Sequence, residues 1–179
     1  MLFRSKLCRE GKDCAGITAD IDYSGYELRS MKVSAAVEAR YYMQKTRLEE
    51  IILYAKEMGY KRLGLAFCVG LEKEAKTIHK ILEQEFDVFS VCCKVSAIDK
   101  DDYDLEKLHP GTFDPTCNPL AQAMLLKNKD TQLNIIIGLC IGHDILFTHH
   151  SSAPVTTLIV KDRVLAHNPA GAIYSSYYL

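Results

Sequence analysis

Asn134-Ile135-Ile136-Ile137-Gly138-Leu139-Cys140 decides how the chain is parsed. A short run of β-branched apolar residues closed by glycine reads as a buried strand, because it is too short for a core helix and is followed by a turn signal. Its neighbours repeat the grammar. Arg62-Leu-Gly-Leu-Ala-Phe-Cys68 is a second apolar run. After Cys68-Val-Gly70 come Leu71, Ala75, Ile78 and Leu82 at helical spacing. Phe86-Asp-Val-Phe-Ser-Val-Cys-Cys93 and Pro154-Val-Thr-Thr-Leu-Ile-Val160 read as two further strands.

Helical segments fall between these runs. Thr46-Arg-Leu-Glu49 has the capping-box pattern, with Leu48, Ile51, Ile52 and Ala55 on one face and Gly59 as the stop. Asn118-Pro119 suits an N-cap followed by a first helical position, which predicts a helix from Pro119 to about Lys127. Val33, Ala36, Val37 and Tyr41 allow another over Val33 to Gln44. Strands alternating with helices imply an α/β fold: a doubly wound, mainly parallel sheet of about four strands with helices on both faces. Residues 1–30, polar and with Gly11, Gly16 and Gly25, read as an irregular N-terminal arm, leaving 31–179 as one domain.

The 179 residues are 48% hydrophobic and 25% charged, enough for a substantial core. Net charge is -1 and no block of Lys or Arg forms a basic footprint, which argues against nucleic acid. No run approaches the roughly 20 apolar residues of a membrane helix, and the start lacks a leader pattern, so the expectation is a soluble cytoplasmic protein. The turn after Phe67 lacks the triple-glycine dinucleotide fingerprint, and no P-loop is present.

Seven cysteines are many for such a chain, and an odd number precludes complete internal pairing. Reducing conditions favour free thiols or metal thiolates. Cys68, Cys93, Cys117 and Cys140 each fall where a strand ends or a helix begins. In an open α/β sheet that edge is where ligands bind, so the four thiols are candidates for one metal or cluster site. A cysteine ahead of a helix has its thiolate favoured by the unpaired amides, which applies above all to Cys117. Cys92 and Cys93 are adjacent in a strand and point to opposite faces; Cys93, nearer the end and beside Lys94, is the better ligand.

No two cysteines are separated by two residues, which disfavours a zinc knuckle. Dispersed thiols suit an embedded iron-sulfur cluster, the first choice, or a zinc site formed on folding. Three bound thiols would leave a position open for a small-molecule substrate. Two other readings use the same residues. One is a metal-independent enzyme with Cys117 or Cys140 as nucleophile and His143 or His167 as proton carrier; the other is plain packing of cysteine as a small apolar side chain.

His143 follows Cys140 by three residues and is a candidate ligand, proton carrier or orienting group. Arg163, in Lys161-Asp-Arg163, ends the last strand, and its charge is placed to line the same crevice, as is His167 before Asn168-Pro169. His149 and His150 do not readily share one site. Tyr174, Tyr177 and Tyr178 suit packing or self-association, making a homo-oligomer an open expectation. The loop carrying Asp99, Asp101, Asp102 and Asp104 reads as solvated.

Arg47-Leu-Glu-Glu-Ile-Ile, Gly64-Leu-Ala-Phe-Cys-Val-Gly-Leu-Glu72, Cys117-Asn-Pro-Leu-Ala-Gln122, Gly138-Leu-Cys-Ile-Gly-His-Asp144 and Val160-Lys-Asp-Arg-Val-Leu-Ala-His-Asn-Pro169 together resemble a functionally uncharacterised prokaryotic family described as metal-binding. The resemblance covers roughly Thr46 to Ala172. It implies metal binding through Cys68, Cys93, Cys117 and Cys140, and no established reaction. A sensor or metal carrier is as compatible with it as an enzyme. The family is richer in cysteine at the front, with closer pairs, whereas here Cys8 and Cys14 stand five residues apart. They become donors to the main site only if the arm folds over it.

Overall fold

Every residue of the apolar run at Leu133–Ile137 (β3) is buried, as a strand covered on both faces requires. The computed structural model describes residues 10–12, 16, 18–175 and 178. The chain forms two units, Met1–Gln44 and Lys45–Leu179. In the first, a single turn at Thr18–Asp20 precedes a helix at Gly25–Tyr41 (α1). This corrects the irregular reading of residues 25–30: the helix starts eight residues before Val33. Ser24 is its extended N-cap, a boundary the sequence reading passed over because apolar spacing is weak there.

The second unit begins with the capping box as expected. Thr46 accepts from the Glu49 amide while Glu49 accepts from the Thr46 amide at 2.8 Å, opening Arg47–Glu57 (α2). Arg62–Phe67 (β1), Glu72–Leu82 (α3), Asp87–Cys92 (β2), Pro119–Lys127 (α4), β3, His143–His150 (α5), Val155–Ile159 (β4) and Gly171–Tyr174 (α6) follow. The four strands are all parallel in the order β2-β1-β3-β4. The fold is therefore α/β with an all-parallel sheet, and helices α5 and α6 are elements that the sequence reading left out.

Strand order fixes the layers. The chain moves one way from β1 to β2 and the other way to β3 and β4, so right-handed crossovers put α3 on one face and α4 and α5 on the other. Packing agrees. Ile51 and Ala55 of α2 and Ala75, Ile78 and Leu82 of α3 bury against Leu63, Leu65, Leu133, Ile135 and Ile137. Ala66 and Ile136 meet Ala123, Leu126 and Phe147 on the opposite face.

One polar residue interrupts β3, and it is fully buried. Asn134 accepts from Thr131 Oγ1 at 2.8 Å and donates to Ser151 Oγ at 2.8 Å, tying the strand's entrance to the end of α5. Its register partner on β1 is Gly64, where a Cβ would collide with Asn134 Oδ1. Because the chain reverses direction between β1 and β3, their carboxyl ends flank a crevice of the kind in which open sheets hold ligands.

Candidate functional site

Three backbone bonds bring the thiols of distant segments to that crevice. The Cys68 amide donates to Ile137 O at 3.1 Å, the Cys93 amide to Phe67 O at 2.8 Å, and the Asn118 amide to Cys93 O at 2.8 Å. Each cysteine segment is thus pinned to a neighbouring strand end, and the sheet's register carries the sulfurs into place. Gln122, fully buried on α4, reinforces the join: its Nε2 donates to Val91 O at 2.8 Å and Phe67 O at 3.3 Å, bridging the ends of β2 and β1. The sequence offered no signal for this role beyond a glutamine inside an apolar helix.

The Cys117 segment is delivered by the acidic loop, which is more than a solvated turn. Lys107 has 5% side-chain exposure and reaches Asp99 Oδ1 at 2.7 Å, Asp101 Oδ2 at 2.5 Å and Thr112 O at 2.8 Å. Lys100 pairs with Asp114 at 2.7 Å, and Asp99 and Pro115 form an antiparallel bridge. The loop is therefore cross-braced at Lys100 and Lys107, while Asp101, Asp102 and Asp104 stay exposed as the solvated reading expects. Lys94 donates to the Pro115 carbonyl, and Asn118 caps α4 by accepting from the Ala121 amide at 2.9 Å.

Within the crevice the thiols of Cys68, Cys93 and Cys117 interact in series, with Cys93 in the middle. Cys68, Cys92, Cys93, Cys117 and Cys140 are all free cysteines. The Cys93 thiol holds Cys117 down at about 7, against an ordinary 9.0; burial opposes this, and Lys94 assists. Conversely, donation to Cys93 followed by burial pushes Cys68 up to about 12. Cys93 is raised too, chiefly by its bond to Cys117. Of the three, Cys117 is therefore the thiol that ionises first, while Cys93 and Cys68 hold their protons to higher pH.

Other groups stabilise charge on sulfur. The Val69 amide donates to Cys93 Sγ at 3.3 Å, and Lys161 Nζ to Cys68 Sγ at 3.3 Å. Cys140 stands apart from the trio within electrostatic range of Cys117, and its Sγ accepts from Arg163 Nη2 at 3.0 Å. Both cations come from the loop after β4. There Asp162 Oδ1 accepts from the Val164 and Leu165 amides, while His167 Nδ1 accepts from the Asp162 amide at 3.1 Å. His167 thus braces the turn that presents Lys161 and Arg163.

His143 opens α5, whose first amides bond to Cys140 O at 2.9 and 3.1 Å. Burial pushes its pKa below the usual 6.5, with Lys94 and Arg163 adding to the effect and Asp144 opposing it. That influence puts His143, Lys94 and Arg163 in one electrostatic neighbourhood. His149 and His150 lie at the far end of α5, edge to face with each other. Tyr174 and Tyr178 are exposed, and Tyr177, Cys8 and Cys14 lie outside the described residues.

Among the described residues, no group of three or more histidine, cysteine, aspartate or glutamate side chains is arranged to hold a metal ion as it stands. Among the same residues, no helix is long and apolar enough to cross a membrane.

A parallel α/β sheet with thiols gathered at its switch point defines the class of protein. Residues 12–158 match the family described as protein of unknown function, DUF1847, and the chain belongs to that family. It is 58% identical over 178 residues to the uncharacterised protein MJ0455 of Methanocaldococcus jannaschii, across 97% of this chain and 92% of the relative. No solved structure matches the chain at a significant level.

Proposed function

We propose that the crevice is a thiolate centre for a soft or borderline metal, an iron-sulfur cluster or zinc, held by Cys68, Cys93 and Cys117 with Cys140 beside them. The observation that carries this reading is the packing of three free thiols into one cluster, Cys68 just after β1 and Cys93 and Cys117 at the two ends of the connection from β2 to α4. A nucleophile needs one sulfur and a base, and three converging thiols exceed that need. The donor set fits the group in chemistry. An amide bonded to Cys93 Sγ and cations at Cys68 and Cys140 offset the charge that several thiolates accumulate, and such contacts tune clusters and zinc alike.

Binding asks Cys68 and Cys117, which now each meet Cys93, to turn toward one ion. It also displaces the protons that Cys68 and Cys93 retain, so affinity rises with pH. The metal supplies Lewis acidity or electron transfer; the chain's own residues hold it and set the surrounding charge. Catalysis at the centre and binding alone, as a sensor or carrier would use it, call for the same ligands.

The test is anaerobic purification of the full chain, followed by metal and acid-labile sulfide analysis with an absorption spectrum. Stoichiometric zinc, or iron with sulfide and a broad visible band, is expected, with loss in Cys93→Ser. Absence of binding after reconstitution with either group, or unchanged binding when Cys68, Cys93 and Cys117 are all serine, overturns the reading.

The depressed Cys117 pKa favours one second reading, a metal-independent nucleophile at the start of α4. It lacks a partner: among the described residues neither His143 nor His167 hydrogen-bonds to a cysteine, and His167 Nδ1 is engaged by Asp162.

A further inference from the structure

The charges in the crevice do not cancel. Lys94, Lys161 and Arg163 all face it, and among the described residues no salt bridge is formed by any of them: Lys94 meets a carbonyl and feels the Asp114 carboxylate, while Lys161 and Arg163 meet sulfur. Three thiolates around a divalent ion carry one net negative charge, against Lys161, Arg163 and a Lys94 that Asp114 offsets in part. Arg163 spends one donor on Cys140 Sγ, and a guanidinium has five. Its surroundings reinforce the imbalance. His143 lies in the same field, and the amino ends of α4 and α5 open onto the same edge.

We propose that Cys140 is not a fourth ligand, and that Arg163, with Cys140 and Lys94, forms the receiving side of the crevice for a small oxyanion, a carboxylate or a phosphate. This deepens the metal-thiolate reading by naming the class of molecule that meets its open side. Geometry separates the two roles: Cys68, Cys93 and Cys117 pack in one cluster, whereas Cys140 is engaged by a fork-shaped cation built for planar oxyanions. Arg163 is exposed, so its remaining donors are accessible to a solute.

Paired alkylating reagents test this with the whole chain, metal-loaded and metal-free. Iodoacetate carries the proposed charge and iodoacetamide does not; with either, sulfur displaces iodide and the thiol proton leaves to solvent. Peptide mapping follows the rate at Cys140. Expected is an iodoacetate rate about tenfold above iodoacetamide, the focusing a cationic crevice provides, falling as salt is raised. Arg163→Gln also takes a charge from beside the Cys140 sulfur, so both rates are expected to fall, and the readout is their ratio, which is expected to lose the preference for iodoacetate. Protection by malonate but not inorganic phosphate assigns a carboxylate, and the reverse assigns a phosphate.

Iodoacetate reacting no faster than iodoacetamide at Cys140 in either form overturns the proposal, as does a preference that salt leaves unchanged. The salt series on the unaltered chain decides the matter even if Arg163→Gln fails to fold. Loss of metal binding with the preference intact removes the metal reading alone.

Discussion

Lys161 reaches Cys68 across the end of an intervening strand. It leaves β4, passes Gly138 beyond β3 and places Nζ 3.3 Å from a sulfur at the end of β1. Two glycines border its path: a Cβ at Gly70 would be in ordinary contact with Nζ at 3.4 Å, and one at Gly138 with Lys161 Cδ at 3.8 Å. Replacing Lys161 by Met keeps the stem and removes the charge. Metal affinity, read by competition with a chromophoric chelator, is expected to fall about tenfold, as loss of a group supporting a metal ligand does. Unaltered affinity would separate Lys161 from the sulfur's charge.

Gly138 and Gly64 give a stability test. At Gly138 the backbone has φ +63 and a Cβ would strike Leu71 Cδ1, so Gly138→Ala is expected to cost ~3 kcal/mol in urea unfolding. Gly64→Ala removes the space that Asn134 occupies opposite it and brings a Cβ within 2.9 Å of Leu126 Cδ1. A loss of ~2 to 3 kcal/mol is expected there. Loss below 0.5 kcal/mol at either position would mean that the packing yields far more readily than the contacts indicate.

Metal-free stability should pass through a maximum in alkaline solution. Cys117 titrates at about 7 folded against 9.0 unfolded, so the unfolded chain holds more protons between these values and stability rises with pH there. Above 9.0 the unfolded chain releases protons that folded Cys68 retains to about 12, and stability falls. Cys117→Ser is expected to remove the rising limb and, by relieving Cys93, to shrink the falling limb without abolishing the part that Cys68 supplies. Thermal melts across pH 6–11 at fixed ionic strength check both limbs.

His143 is expected to remain neutral at pH 7, titrating below 6.5 because it is buried and faces Lys94 and Arg163. Arg163→Gln takes away one of the opposing charges, so the midpoint moves up. Ring-proton shifts in an NMR titration measure both. A midpoint that does not move would place Arg163 outside the histidine's field.

The parts of the fold legible from sequence were those written in local chemistry. A β-branched run at Ile135–Ile137, a capping box at Thr46 and an Asn-Pro start at α4 each express a rule that needs no partner elsewhere. Helix α5 was missed because His143–His150 buries only Phe147 and has little apolar periodicity. The acidic loop was read as solvated, and Asp101, Asp102 and Asp104 are exposed; what its like charges did not reveal is that Lys107 folds back between Asp99 and Asp101. Positions of the four cysteines at strand ends were readable, but which sulfurs meet depends on strand order. Lys161 and Gln122 gain their roles only across the assembled sheet.

That dependence has a consequence for how the protein is made. A chain halted just after Cys117 already possesses all three interacting sulfurs yet lacks β3, the partner to which both β1 and the Cys68 amide bond. The Cys68 loop is therefore tethered in place only once the chain has grown through Ile137, and the meeting of these sulfurs is timed by a strand that carries none of them.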